Sequence, residues 1–244
     1  MEKNFETTIL MSTYNNVEYI EECLDSIENQ TYFKDNTAKF QVLVGVDGCP
    51  KTYEKIVEIK DRYRNLDVFM LSKNVGSYVC LNTLLPLIKY DNIIKFDSDD
   101  IMLPNCVEVL SKKTSGFDVV QFKFKVFWDE KPEKIQDVPH PAAGVLFYTK
   151  KSIEVFGGYH ENRFSSDYEL LVRTKRFLKS KIIDDRLFLY RRHSTTLGNT
   201  VNKSKRIGFD NMVRSTNYTK DNVKIEPIVG IIKDSFTTFK ENVV

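Results

Sequence analysis

Residues 92–104 read NIIKFDSDDIMLP, and the fold turns on how that stretch is read. Its first half is a short apolar run of the kind that becomes a buried strand. It ends in Asp97, Asp99 and Asp100, three carboxylates within four positions. Such crowding is costly unless a metal ion, a neighbouring Lys or Arg, or bulk water lies among the charges.

Upstream, two periodicities alternate. TTILMST (7–13), FQVLVGVD (40–47) and LDVFMLS (66–72) have the β-branched, apolar character of strands. Between the first two, Val17, Ile20, Leu24 and Ile27 recur at helical spacing, and KTYEKIVEIKDRY (51–63) predicts a second helix. Asn15 with Glu18 resembles a capping box, which predicts a helix starting just after Tyr14. GSYVCLNTLLPLIKY (76–90) predicts a third helix, with Pro86 awkward inside it. Taking NIIKFD as the fourth strand gives βαβ units and a mostly parallel sheet flanked by helices. In open sheets of this kind ligands bind outside the carboxyl ends of the strands. The residues there are Thr13-Tyr14-Asn15, Asp47-Gly48, Ser72-Lys73-Asn74 and Asp97-Ser98-Asp99-Asp100, polar or acidic after every strand.

After Pro104 the pattern changes. PNCVEVLSKK (104–113) predicts a short helix and FDVVQFKFKVFW (117–128) a half-exposed strand. EKPEKIQDVPHPAAG (130–144) carries three prolines and predicts a loop. Beyond VLFYTKKSIEVFGGY (145–159), a helix over DYELLVRTKRFLKS (167–180) and a strand over KIIDDRLFLYRRH (181–193) are expected. In the polar, basic tail, PIVGIIKDSFTTF (227–239) is an apolar helical candidate. No linker divides residues 1–200, so we read a single α/β domain there, with halves at 1–103 and 104–200. Residues 201–244 are then a tail that is helical or contacts a partner.

Bulk composition narrows the function classes. A chain of 244 residues buries a sizeable core, and a net charge of +2 argues against a nucleic-acid partner. The four cysteines form no CxxC pair, and MEKNFETTIL lacks the apolar centre of a signal peptide. Reduced, buried thiols in a cytoplasmic setting are therefore expected. No apolar run approaches the roughly 20 residues of a transmembrane helix; peripheral membrane contact stays open, as does oligomeric state.

The acidic strand end has two readings. A D-x-D there suits Mg²⁺ or Mn²⁺, which use one or two carboxylates and fill the octahedron with phosphate oxygens and water. Equally, Asp99 or Asp100 would cap the helix beginning near Pro104. Asp47 either accepts the imide N–H of a uracil or belongs to an Asp-Gly turn. Tyr14 either stacks on a base or packs.

The order of motifs carries more. ILMSTYNNVEYIEECLDSIENQTY (9–32), VLVGVDG (42–48), NVGSYVCLN (74–82) and IIKFDSDDIMLPN (93–105) together resemble family 2 glycosyltransferases, the inverting group with a GT-A fold. GGYHENRFSSDYELLVR (157–173) is similar to that family's catalytic-acid segment, and YRRHSTTL (190–197) to its closing Tyr-Arg-x-His stretch. The resemblance covers about residues 7–197 and implies a metal-dependent transferase using a UDP-sugar donor and a glycan or glycoconjugate acceptor. It assigns Thr13 and Tyr14 to the base, Asp47 to uracil, and Asn74, Gly76 and Ser98 to the donor. Asp97 falls near the ribose or a metal-bound water, and Asp100 in an outer or acceptor-side role. Asp99 is the implied metal ligand, with His193 approaching the metal or diphosphate, and Arg191 or Arg192 offsetting phosphate charge. Asp167 is the implied general base.

The chain departs from the family at Val46, Cys49, Leu81 and Ser166, where relatives carry an acid, Ser or Thr, Arg and a second acid. The loss beside Asp167 leaves Glu161 or Glu169 as alternative bases. It also leaves room for a catalytically silent nucleotide-sugar-binding or scaffold domain. A nucleotidyltransferase fits less well, because STYNNVEY (12–19) is not a Gly-rich basic loop.

Overall fold

The structure, a computed structural model, describes residues 5–34, 38–194 and 203–237. Strands β1 (Thr7–Thr13) and β2 (Phe40–Val46) are buried almost throughout, as strands covered on both faces must be. Their alternate residues feed two cores. Ile9, Met11, Val42, Val44 and Val46 face one, while Leu10 and Leu43 face the other.

Helices α1 (Ile20–Glu28), α2 (Pro50–Ile59) and α4 (Cys106–Lys113) cover the first face. In α1 the apolar stripe Ile20, Cys23, Leu24 and Ile27 is buried at the i, i+3, i+4, i+7 spacing legible in the sequence. The second face takes α3 (Ser77–Leu84), α5 (Lys150–Phe156) and α6 (Ser166–Thr174), which contribute Leu81, Leu84, Phe156 and Leu170. Gly45 lets α3 approach β2 closely, since a Cβ there would lie 2.6 Å from the Cys80 sulfur.

β3 (Leu66–Leu71) and β4 (Asn92–Lys95) flank the first pair, and β1 to β4 run parallel in the order β3-β2-β1-β4. The sheet continues through β8 (Leu146–Thr149), β6 (Val119–Trp128) and β9 (Ser180–Arg192) to the two-residue β5 (Ile101–Met102). β8 is antiparallel to both neighbours, so the second half of the sheet is mixed. The carboxyl ends of β1 to β4 share one edge.

Four expectations are corrected. α1 starts at Ile20 and not beside Tyr14, because Asn15 has φ 49°, outside the helical region, and no side chain caps the helix. The helix over 76–90 stops at Leu84 and passes into a 3-10 turn, Leu85–Leu87, with Pro86 in its first turn. Within the presumed loop 130–144, β7 (Lys131–Asp137) pairs antiparallel with β6. The apolar segment of the tail is a strand, β10 (Ile232–Thr237), antiparallel to β3 at the sheet edge. Ahead of it the tail forms α7 (Lys203–Ser215), which lies against α6. Residues 195–197 of the closing motif, and 201–202 and 238–244 of the tail, lie outside the described residues.

Candidate functional site

The acidic strand end meets the second half of the chain above Gly144. A Cβ at Gly144 would lie 3.1 Å from Asp167 Oδ2, 3.3 Å from Asp97 Oδ2 and 3.8 Å from Lys95 Nζ. Asp97 follows β4 and Asp167 opens α6, so two distant segments aim carboxylates at one small gap. Lys95 is buried and ion-paired with Asp97. Burial pulls its pKa down, but Asp97, Asp167 and Asp100 outweigh that and keep the ammonium charged. Burial also raises the Asp97 carboxyl, against the opposing pull of Lys95. Tyr78 is buried near Asp167 and Asp97; burial first, and then those two carboxylates, raise its pKa and keep its hydroxyl protonated. The Asp167 carboxylate also accepts the Tyr168 N–H at 2.8 Å.

Asp99 and His193, 94 residues apart in sequence, come together with Asp99 Oδ2 and His193 Nε2 3.0 Å apart. Arg191, 5% exposed, holds this corner. Its Nε donates to the Asp99 carbonyl (2.9 Å) and its backbone N–H to Asp100 Oδ1 (2.9 Å). Its guanidinium is ion-paired with Asp129 (2.7 Å) and Glu22. Arg191 lies over the Tyr19 ring, which in turn contacts the His193 ring at 4.7 Å. Arg191 is therefore engaged inside the protein. Arg192 is the exposed member of the pair.

Asp100 points inward. Its Oδ2 is buried without a hydrogen-bond partner, and burial, with Asp99 and Asp97 alongside, raises its pKa well above the usual range. Ser98 also turns in, where its carbonyl and Oγ accept the Asn16 amide at 2.7 and 2.9 Å. Asn16 thus latches the loop after β1 to the acidic loop. Sequence reasoning missed this contact because an isolated loop asparagine carries no pattern.

On the donor side Asp47 is 2% exposed, and its oxygens accept the N–H groups of Val75 (2.7 Å) and Gly76 (2.9 Å). Burial raises its carboxyl, against those two bonds and the nearby Arg163. Each oxygen keeps a second lone pair, but the evident work of Asp47 is to fix the loop through Asn74, Val75 and Gly76. Thr13 is buried and Tyr14, 56% exposed, stands at the mouth.

The alternative bases separate clearly. Glu169 is 2% exposed and gripped by Arg173 at 2.6 Å, itself bonded to the carbonyls of Phe156, Gly158 and Val223. That pair is structural. Glu161 is exposed, and the Oγ of Ser166 donates to the Asn162 carbonyl.

Asp99 and His193 fit a divalent cation. Two neighbouring ligands on an octahedral ion with bonds of about 2.1 Å lie about 3 Å apart, and the pair stands 3.0 Å apart. Among the described residues no group of three His, Cys, Asp or Glu side chains gathers as a metal set. Two protein ligands are what a Mg²⁺-type ion uses when phosphates complete its shell.

A mixed sheet whose four central strands run parallel to acidic ends, closed by a carboxylate from the second half of the chain, defines the class. The chain belongs to glycosyl transferase family 2, whose model matches residues 8–195. It is 26% identical over 191 residues to the Escherichia coli UDP-Gal:alpha-D-GlcNAc-diphosphoundecaprenol beta-1,3-galactosyltransferase, covering 68% of this chain and 66% of that protein. Its fold, GT-A, is shared with Staphylococcus aureus TarS 1-349 in complex with UDP-GlcNAc. The TM-score is 0.67 at 18% identity, covering 81% of this chain and 62% of that one. It is shared equally with the mannosyltransferase PcManGT from Pyrobaculum calidifontis in complex with GDP-Man and Mn2+. There the TM-score is 0.67 at 15% identity, covering 91% and 67%. Against two other curated relatives the match spans only 17% and 24% of their length.

Proposed function

We propose that this chain is an inverting glycosyltransferase. It moves a sugar from a nucleotide donor, a UDP-sugar, to a hydroxyl of a glycan or glycoconjugate. One observation carries the reading: Asp97 and Asp167 converge over Gly144 while Asp99 and His193 pair beside them. The family membership supports it, as do the UDP-linked name of the E. coli relative and the UDP-GlcNAc held by TarS.

A single displacement with inversion needs one base and a stabilised leaving group. Asp167 takes the proton from the acceptor hydroxyl as that oxygen attacks the anomeric carbon. Its position is supported by the Tyr168 N–H in the first turn of α6. Lys95, paired to Asp97, limits repulsion between the two carboxylates. Asp99 and His193 would hold Mn²⁺ or Mg²⁺, which when bound would neutralise charge on the departing diphosphate. Arg191 keeps those two side chains in register.

The test is thermal stabilisation by UDP, GDP and CDP with Mn²⁺, on wild type and Asp99→Ala. The expected result is a midpoint raised by UDP with Mn²⁺ in the wild type and not in the variant. Stabilisation by GDP and not UDP would overturn the donor assignment. Donor binding without turnover in the wild type would favour the silent binding domain.

A further inference from the structure

The donor side carries a cation that motif reading did not single out. Arg163 belongs to the segment between α5 and α6, three residues before α6 begins. Its side chain lies along Gly76, whose φ is 98°: a Cβ there would stand 3.5 Å from Arg163 Cγ and 3.9 Å from its Nε. The glycine therefore gives the arginine stem a path across the loop that Asp47 fixes from below. Asp47 feels the Arg163 charge, yet forms no ion pair with it, because its oxygens are turned to the Val75 and Gly76 N–H groups. No hydrogen bond or ion pair closes on the guanidinium among the described residues.

The segment is anchored on both sides of Arg163. The Tyr159 N–H donates to Asn82 Oδ1 at 2.8 Å, and the Phe164 ring packs edge-on against Phe209 of α7, 5.9 Å between centroids. The backbone that carries Arg163 is thus fixed beside the Gly76 loop, and the exposed side chain reaches across that loop. Charge gives it a purpose. The strand ends are crowded with carboxylates, Lys95 is engaged by Asp97, and Arg191 by Asp129 and Glu22. An anionic nucleotide entering this field needs cations whose donors are still open, and a guanidinium matches phosphate oxygens two at a time.

We propose that Arg163 is a donor-binding residue whose guanidinium, reaching over Gly76 from the segment that carries Asp167, pairs with the phosphates of a nucleoside diphosphate. This rests on the nucleotide-sugar reading of the strand ends. It also links the two half-sites, because the chain that grips the phosphates runs directly into the helix that presents the base.

The test is calorimetric binding of UDP and of UMP, with Mn²⁺, to the full chain as wild type, Arg163→Gln and Arg163→Lys. The Gln variant is expected to bind UDP about 10- to 100-fold more weakly, with a smaller loss for UMP and partial recovery in the Lys variant. Because Arg163 is exposed, the variants should unfold at the wild-type temperature, and unfolding curves check this. UDP affinity within twofold of wild type in Arg163→Gln would overturn the inference and leave the proposed function standing. Equal losses for UDP and UMP would overturn the phosphate contact. A wild type that binds neither UDP nor GDP would remove both the inference and the reading beneath it.

Discussion

Asp97 and Asp167, seventy residues apart in sequence, direct their carboxylates to one point, with Oδ2 atoms 3.3 and 3.1 Å from where a Cβ on Gly144 would sit. Gly144 leaves this gap open, and we take it as the seat of the reacting hydroxyl. Its backbone φ is outside the left-handed region, so alanine adds no backbone strain, and its Cβ is fitted once the two carboxylates give by a few tenths of an ångström. Gly144→Ala should fold normally and bind UDP as wild type does, but transfer about 100-fold more slowly, because a methyl displaces the acceptor from its attacking position. Steady-state kinetics beside nucleotide titration checks this. Unchanged kcat would place the acceptor elsewhere.

Glu169 and Asp167 stand two residues apart but should fail differently. Glu169→Gln leaves the buried Arg173 without its counter-charge, and breaking such a pair costs about 3–5 kcal/mol. Denaturant unfolding should register that loss. Whatever protein remains folded should still turn over donor. Normal stability with abolished transfer in this variant would instead make Glu169 the base.

Asp100 predicts a pH dependence of stability. Unfolded, it titrates near its usual value of 3.8; folded, burial with Asp99 and Asp97 alongside raises that value. Between the two values the folded chain binds the extra proton, so stability falls as pH rises through that window and levels off above the folded value. Asp100→Asn does not ionise. Its unfolding temperature should exceed that of the wild type at neutral pH, the gap narrowing towards about pH 4. Thermal unfolding across that range, without added divalent cation, is the measurement. A gap that widens towards acid pH would contradict the assignment.

The parallel half was legible because its strands are β-branched and apolar throughout, and its acidic ends fall where such sheets bind ligands. β7 was not, because KPEKIQD is exposed at every position and contains Pro132, so nothing in it alternates. β10 was missed because IKDSFT takes its conformation from the free edge of β3 and not from its own periodicity. Within the site, the family resemblance implies that Asp99 and His193 approach one metal or diphosphate, and the fold brings the two side chains to 3.0 Å. Which of Arg191 and Arg192 turns inward depends on the register of β9 against β6, and sequence alone does not set it. Asn16, Gly144 and Arg163 act from loops, where function depends on what the fold brings alongside.

The central claim is that Asp167 removes the acceptor proton while the donor is held by other residues. The direct measurement is single-turnover transfer from a UDP-sugar with Mn²⁺ by wild type and Asp167→Asn, with UDP affinity determined on the same samples. The predicted result is wild-type UDP affinity in the variant with transfer slowed by about 10²- to 10⁴-fold. Transfer at the wild-type rate would contradict it.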